Sequence, residues 1–227
     1  ATSGTWSGGT GTFSPNNNTL NATYAPSVAE LAAGGNVILT LTTNDPAGPC
    51  NAVSDTMTIT IKLAPTASAG GTQTICPGAT ATVSGASAAN GTISWSENGA
   101  GSITSGGTSL TPTYTSAAGD AGNTVTLTMT VTNSPCSVAT ATYTVVVSPA
   151  APAAPGNITG STTVCTGETI TYSVAAVTNA TNYTWTVPSG WTITDGQGTT
   201  TIDVVAGSAG TGNISVVASN SCGSTSP

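Results

Sequence analysis

Charge is what this chain most lacks. Of 227 residues, one is Lys or Arg and none is His, against eight Asp or Glu, for a formal net charge of −7. Charged residues make up 4% of the chain, where about 25% is ordinary for a soluble domain. Without cationic side chains nothing can neutralise phosphates, which excludes binding to nucleic acid or to anionic membranes. Without His or Arg, a Ser or Thr nucleophile has no ordinary general base, and the single lysine, Lys62, stands at a strand end beside a linker. Histidine and close CxxC pairs are both absent, so zinc has no ligand set. Aromatics are 4%. No apolar run approaches the roughly 20 residues of a spanning helix, which removes membrane insertion. A charge-poor chain with diluted apolar residues would be disordered, but here they alternate in strand-like patterns.

What is present is a repeat. Residues 5–61 contain TWSGGTGTFSPNNNTLNATY, NVILTLTTNDPAGPC and TMTITI, and residues 94–147 contain SWSENGAGSITSGGTSLTPTY, NTVTLTMTVTNSPC and TYTVVV. Trp6 matches Trp95, Tyr24 matches Tyr114, Cys50 matches Cys136 and Ile59 matches Val145. A period of about 90 residues is too long for a solenoid unit and fits one small β-sandwich that buries its own core. The third segment repeats the layout with Cys165, Trp185 and Cys222. This divides the chain into a partial repeat at 1–63, a complete one at 64–149 and a third repeat at 150–227. The first lacks early strands and an early cysteine, and the last stops where a final strand should begin. The chain reads as a slice of a longer protein.

Every segment reads as β-strand. Val125, Leu127, Met129 and Val131 alternate with Thr124, Thr126, Thr128 and Thr130. Val37, Leu39 and Leu41 alternate with Ile38, Thr40 and Thr42, and Met57, Ile59 and Ile61 correspond to Tyr143, Val145 and Val147. Period-two alternation predicts a buried face and a threonine-bearing wet face, which suits the branched Cβ and exposed hydroxyl of threonine. No amphipathic helix stands out. The expected fold is all-β: tandem β-sandwiches in an elongated array, with Trp95 and Trp185 in their cores. The joints, Lys62–Pro65 and Ser148–Pro155, carry proline and favour semi-rigid extended geometry.

Cys76 and Cys136 occupy matching points of the second repeat, and Cys165 and Cys222 of the third. The two pairs read as one disulfide per repeat, joining loops at one pole of each sandwich, with buried free thiols as the alternative. A loop of about 60 residues closed in this way stabilises by roughly 4 kcal/mol in the chain-entropy model. Cys50 is then left without its partner. Disulfides imply an oxidising, extracellular setting.

Candidate chemistry is sparse. No metal or cofactor set stands out. Asn44-Asp45, Asp120 with Asn123, and Asp195 lie in turns where calcium could gather oxygens, although no repeat shows a dense acidic cluster. The acids show no match between repeats that would suggest a catalytic carboxylate pair. A Lys–Asn crosslink would need Lys62 buried beside an acid. Trp191 and Tyr183 are the only rings free to form a sugar-stacking platform. Seven N-x-S/T sequons occur, at Asn17, Asn21, Asn90, Asn157, Asn179, Asn182 and Asn213.

The patterns TICPGATATVSG, ISWSENGAGSI, LTPTYT and VTLTMTVTNSPCSVATATYTV resemble repeats of the giant surface adhesins of gliding Bacteroidota, the SprB-like gliding-motility adhesins. PGNITGSTTVCTGETITYSV with YTWTVPSGWTITDGQGTTTIDV looks like the PKD-like repeats of the same proteins. The resemblance implies tandem Ig-like and PKD-like β-sandwich domains, Ig-like at 1–63 and 64–149 and PKD-like at 150–227. It also implies type IX secretion, display as a filament on the bacterial cell surface, and movement by a motor. It defines no catalytic or ligand residues. The implied partners are neighbouring repeats of the same chain, with surface polysaccharide or lateral filament contacts as further ones. Asp55-Thr56-Met57 resembles the D-[ST]-apolar O-glycosylation signal used by Bacteroidota, which nominates Thr56. The runner-up reading is a carbohydrate-binding module of a secreted multidomain protein.

Overall fold

A computed structural model describes residues 3–44, 50–208 and 212–226. Nearly all of its regular structure is β-strand. The residues group into two compact units, one spanning Ala1–Ala69, Ala86–Ser94 and Met129–Ala141, the other Gly70–Gly85, Trp95–Thr128 and Thr142–Pro227. The middle repeat of the sequence contributes segments to both.

In the first repeat, strand Gly35–Thr43 lies between Gly4–Ser7 and Ser54–Ile61 in an antiparallel sheet that registers Trp6 with Leu41 and Leu39 with Met57. A hairpin of Thr12–Ser14 and Thr23–Ala25 sets Phe13 opposite Tyr24. A six-residue helix, Val28–Ala33, follows, which the strand pattern had not led us to expect. Its start is nevertheless legible: Ser27 and Glu30 form a reciprocal capping box, the S-x-x-E signature of a helix N-terminus. Val37 and Leu39 are buried, but Met57, expected inside, is 48% exposed. Its counterpart Tyr143 in the second repeat is 5% exposed.

The difference has a structural cause. In the second repeat the sheet runs Thr92–Glu97, Thr124–Thr132, Ala139–Val147, Thr72–Ile75, and the last pair is parallel, with Val147 opposite Ile75. A second sheet orders Ser102–Ser105, Thr113–Thr115, Thr80–Thr82. The segment from Thr72 to Val83 supplies buried Ile75, Ala81 and Val83. Among the described residues no strand plays that part for the first repeat. The predicted alternation in Thr124–Thr132 holds residue by residue: Val125, Leu127, Met129 and Val131 are buried and the threonines between them are not.

The third repeat pairs two antiparallel sheets, one of Thr169–Ser173, Thr201–Val205 and Thr192–Asp195, the other of Asn182–Thr186, Ser215–Asn220 and Gly223–Ser224. Alternate residues of both, including Tyr172, Ile202, Val204, Tyr183, Trp185 and Val216, meet in one core. Such interleaving of two inward faces defines a β-sandwich.

Candidate functional site

The tryptophans show how closely the three repeats share a frame. The indole N–H of Trp6 donates to the Leu20 carbonyl (3.2 Å), that of Trp95 to Ser109 (2.9 Å) and that of Trp185 to Thr199 (2.8 Å). The spacing is 14 residues each time. An indole N–H taken out of water needs a partner, and each repeat supplies the same one. Burial differs: Trp185 is fully in the core, whereas Trp95 is only half-buried and does not meet the expectation of a core residue.

A second element recurs in the first two repeats. Tyr114 donates its hydroxyl to Asp120 Oδ2 (2.7 Å), six residues on, and Tyr24 donates to Glu30 (2.8 Å), also six residues on. The Asp120 carboxylate further accepts the N–H groups of Ala100 (2.6 Å), Ala117 (2.8 Å) and Gly101 (3.1 Å). Glu30 likewise accepts from Thr10 (2.7 Å) and Ser27 (2.7 Å). The Gly101 and Gly11 amides also donate to the two tyrosine oxygens, at 3.0 and 2.7 Å. This explains the matched Gly-x-Gly, Gly9 to Gly11 and Gly99 to Gly101. The backbone passes so close to the phenol that a Cβ at any of the four would collide with it or with a neighbouring carbonyl.

These acids correct the reading that none match between repeats: Glu30 and Asp120 occupy the same place. The Tyr anchors were visible in the sequence, but the change from Glu to Asp and the helix that carries Glu30 hid the match. Burial pushes both carboxyls up, but the hydrogen bonds outweigh it, holding Glu30 at about 2 and Asp120 below its ordinary value. Burial, with the adjacent Asp120, pushes Tyr114 up to about 12.

The carboxylates are therefore committed to backbone donors. Asp120 is 2% exposed and carries four hydrogen bonds, so its oxygens are unavailable to calcium. Asn123 turns its amide N–H groups to the Gly119 and Ala121 carbonyls. Asp195 accepts the adjacent Gly196 N–H (2.7 Å), as a turn former does. Asn44 hydrogen-bonds Ser3 and Thr5, and Asp45 lies outside the described residues. Among the described residues no three acidic or thiol side chains cluster. Lys62 is exposed, against the burial that a crosslink needs. Thr56 is exposed on its strand.

Of the two candidate stacking rings, Tyr183 is buried in the core, where its oxygen accepts the Val177 N–H (2.7 Å). Trp191 is half-buried and lines a groove of about 580 Å³ with Ile158, Tyr172, Pro188 and Ile214. A single ring remains.

The cysteines depart from expectation. Cys76 is bonded to Cys222, 146 residues away, and not to Cys136, while Cys136, Cys165 and Cys50 are free. The parallel strand explains the correction. Cys76 directly follows Ile75, which is registered with Val147 at the end of strand Ala139–Val147. Cys136 precedes the start of that strand. Nine residues at about 3.3 Å each separate the two ends, far beyond the roughly 7 Å that a disulfide can span. The sequence suggested a bridge between loops at one pole, which antiparallel pairing of Thr72–Ile75 would have allowed and parallel pairing does not.

Comparison with known proteins places the third repeat: residues 151–227 match the family model of the PKD-like domain. No curated protein matches the chain. Among solved structures, the N-terminal eight Ig domains of Down syndrome cell adhesion molecule align over 98% of this chain and 36% of that one, at 14% identity and a TM-score of 0.47. Immunoglobulin domains 1–5 of Sidekick-1 align over 98% and 50%, with the same identity and TM-score. The chain thus spans between about a third and a half of their lengths. Residues 151–227 thus match the PKD-like domain, in an all-β chain consistent with tandem β-sandwich domains.

Proposed function

We propose that this chain is a spacer segment of a long extracellular adhesin filament on a bacterial surface, of the type used in gliding motility and exported by type IX secretion. PKD-like and Ig-like domains are as a rule structural modules without catalytic activity, and we extend that rule to this chain. The observation that carries the reading is the commitment of its few functional groups to the frame. The matched carboxylates and tyrosines bind backbone, the tryptophans repeat one structural bond, and a disulfide ties an early loop of one repeat to a late loop of the next. Such residues hold a scaffold and leave no convergent reactive set among the described residues. The division into repeats at 1–63, 64–149 and 150–227 belongs to the same proposal. Thr56, exposed beside Asp55, is the proposed O-glycan acceptor, and an intact mass without hexose on native material removes it.

Small-angle scattering with and without reductant tests the spacer. A maximum dimension near three sandwich lengths, with flexibility appearing on reduction, supports it. A compact, folded-back particle refutes it. The groove beside Trp191 favours a second reading as a polysaccharide-binding module. Quenching of tryptophan fluorescence by soluble polysaccharides, lost in Trp191→Ala, would establish that reading instead.

A further inference from the structure

The cysteines left free repeat the surroundings of the two that are bonded. Bonded Cys76 opens a turn in which the Ala79 N–H donates to its carbonyl (3.0 Å), with Gly78 at φ 81°. Free Cys165 opens the same turn: the Glu168 N–H donates to its carbonyl (3.1 Å) and Gly167 sits at φ 82°. A left-handed glycine at this position sets a tight turn.

The late cysteines match as well. Near bonded Cys222, the Asn220 side-chain amide donates to the carbonyl of Ala150 in the joint (2.8 Å). Near free Cys136, the Asn133 side-chain amide donates to the carbonyl of Leu63 in the preceding joint (2.9 Å). The partner of Cys222 stands beside Ser148, whose N–H donates to Ile75 next to Cys76 (2.8 Å). Ser148 holds in the second repeat the place that Lys62 holds in the first. The Cys136 Sγ lies 3.5 Å from the Lys62 carbonyl. Cys136 therefore waits where the early cysteine of a repeat built like the second would stand.

We propose that repeats of this type are joined by a staggered disulfide, from the early-turn cysteine of one repeat to the late cysteine of the repeat that follows it. Cys76–Cys222 is one such bond. Cys136 and Cys50 are late halves that take the early cysteine of a preceding repeat, and Cys165 is an early half that takes the late cysteine of a following one. Each bond forms by exchange with a disulfide oxidant: two protein thiols become one S–S bond, and the oxidant takes up their two electrons and two protons and leaves as two thiols. Every joint is then spanned twice, by the linker and by the bridge. The inference does not depend on the filament reading, since it concerns only how such repeats are joined.

The test extends the chain. Residues 64–93 are placed ahead of Thr5, which completes the first repeat and gives it a copy of Cys76. After oxidation in a glutathione buffer, non-reducing peptide mass spectrometry should find the grafted cysteine bonded to Cys136. Thiol titration should fall from three in the present chain to two for Cys50 and Cys165. A bond from the grafted cysteine to Cys50, or a folded extended chain with Cys136 still alkylated, overturns the proposal. The unextended chain gives a control free of any grafting: its map should contain Cys76–Cys222 alone. A Cys76–Cys136 or Cys165–Cys222 bond there overturns the proposal too.

Discussion

Replacing Asp120 by Asn asks how much one carboxylate holds. The side chain keeps its size, but one of its two oxygens becomes an NH₂ group that can only donate. Oδ2 faces three donors, Tyr114, Ala117 and Gly101, and Oδ1 faces only Ala100. The amide will therefore turn its nitrogen toward Ala100. That leaves a buried N–H without an acceptor, at about 1–3 kcal/mol, and converts three charge-assisted bonds to neutral ones, at roughly 1 kcal/mol less stabilisation each. Allowing for relaxation, Asp120→Asn should destabilise the second repeat by about 4 kcal/mol, a large share of the 5–15 kcal/mol typical of a whole domain. Urea denaturation followed by tryptophan fluorescence measures it, with Glu97→Gln, which alters an acid bonded only to the Gly99 amide, as the control. A loss below about 1 kcal/mol, or one equal to the control, would falsify the view that this carboxylate organises the repeat.

Glu30, held at about 2 against its ordinary 4.5, should stabilise the first repeat fully above pH 4.5 and progressively less toward pH 2. Glu30→Gln should flatten that part of the pH–stability curve, and an unchanged curve counts against the assignment. Tyr114, pushed up to about 12, favours its neutral form, so its contribution is complete below pH 10 and lost as pH rises through 12. Absorbance titration should show this phenol ionising only near 12, together with unfolding; ionisation near 10 in the folded chain would contradict it. Trp185→Phe removes the donor to the Thr199 carbonyl and leaves a cavity in the third repeat, at a cost of about 2–4 kcal/mol by calorimetry. Retention of wild-type stability would mean that the bond shared by the three repeats is dispensable.

Much of this was legible in the residues. Strict alternation in residues 124–132 named the buried face, because a pleated strand allows no other assignment once one side meets a core. The matches of Trp6 with Trp95 and Tyr24 with Tyr114 identified the repeat, and the third tryptophan extended it. The capping box at Ser27 and Glu30 could have been read as well, and the paired Gly-x-Gly motifs hinted at something held close beneath them.

Local pattern carried these features because strand pleat, turn and cap depend on residues only a few positions apart. The rest depended on which strand lies beside which. Parallel pairing of Thr72–Ile75 with Ala139–Val147 has no signature in alternation, yet it sends Cys76 away from Cys136 and toward Cys222. Met57 carries the same alternation as Tyr143 but stays exposed, because among the described residues no strand serves the first repeat as residues 72–83 serve the second. Spacing alone also left Asp120 looking like a free turn acid, and only the folded chain brought three amides and a phenol to its oxygens. Sequence determined the repeat and the inward face of its strands. Tertiary structure decided the bridge and the carboxylate, because both are contacts between segments that no local rule places together.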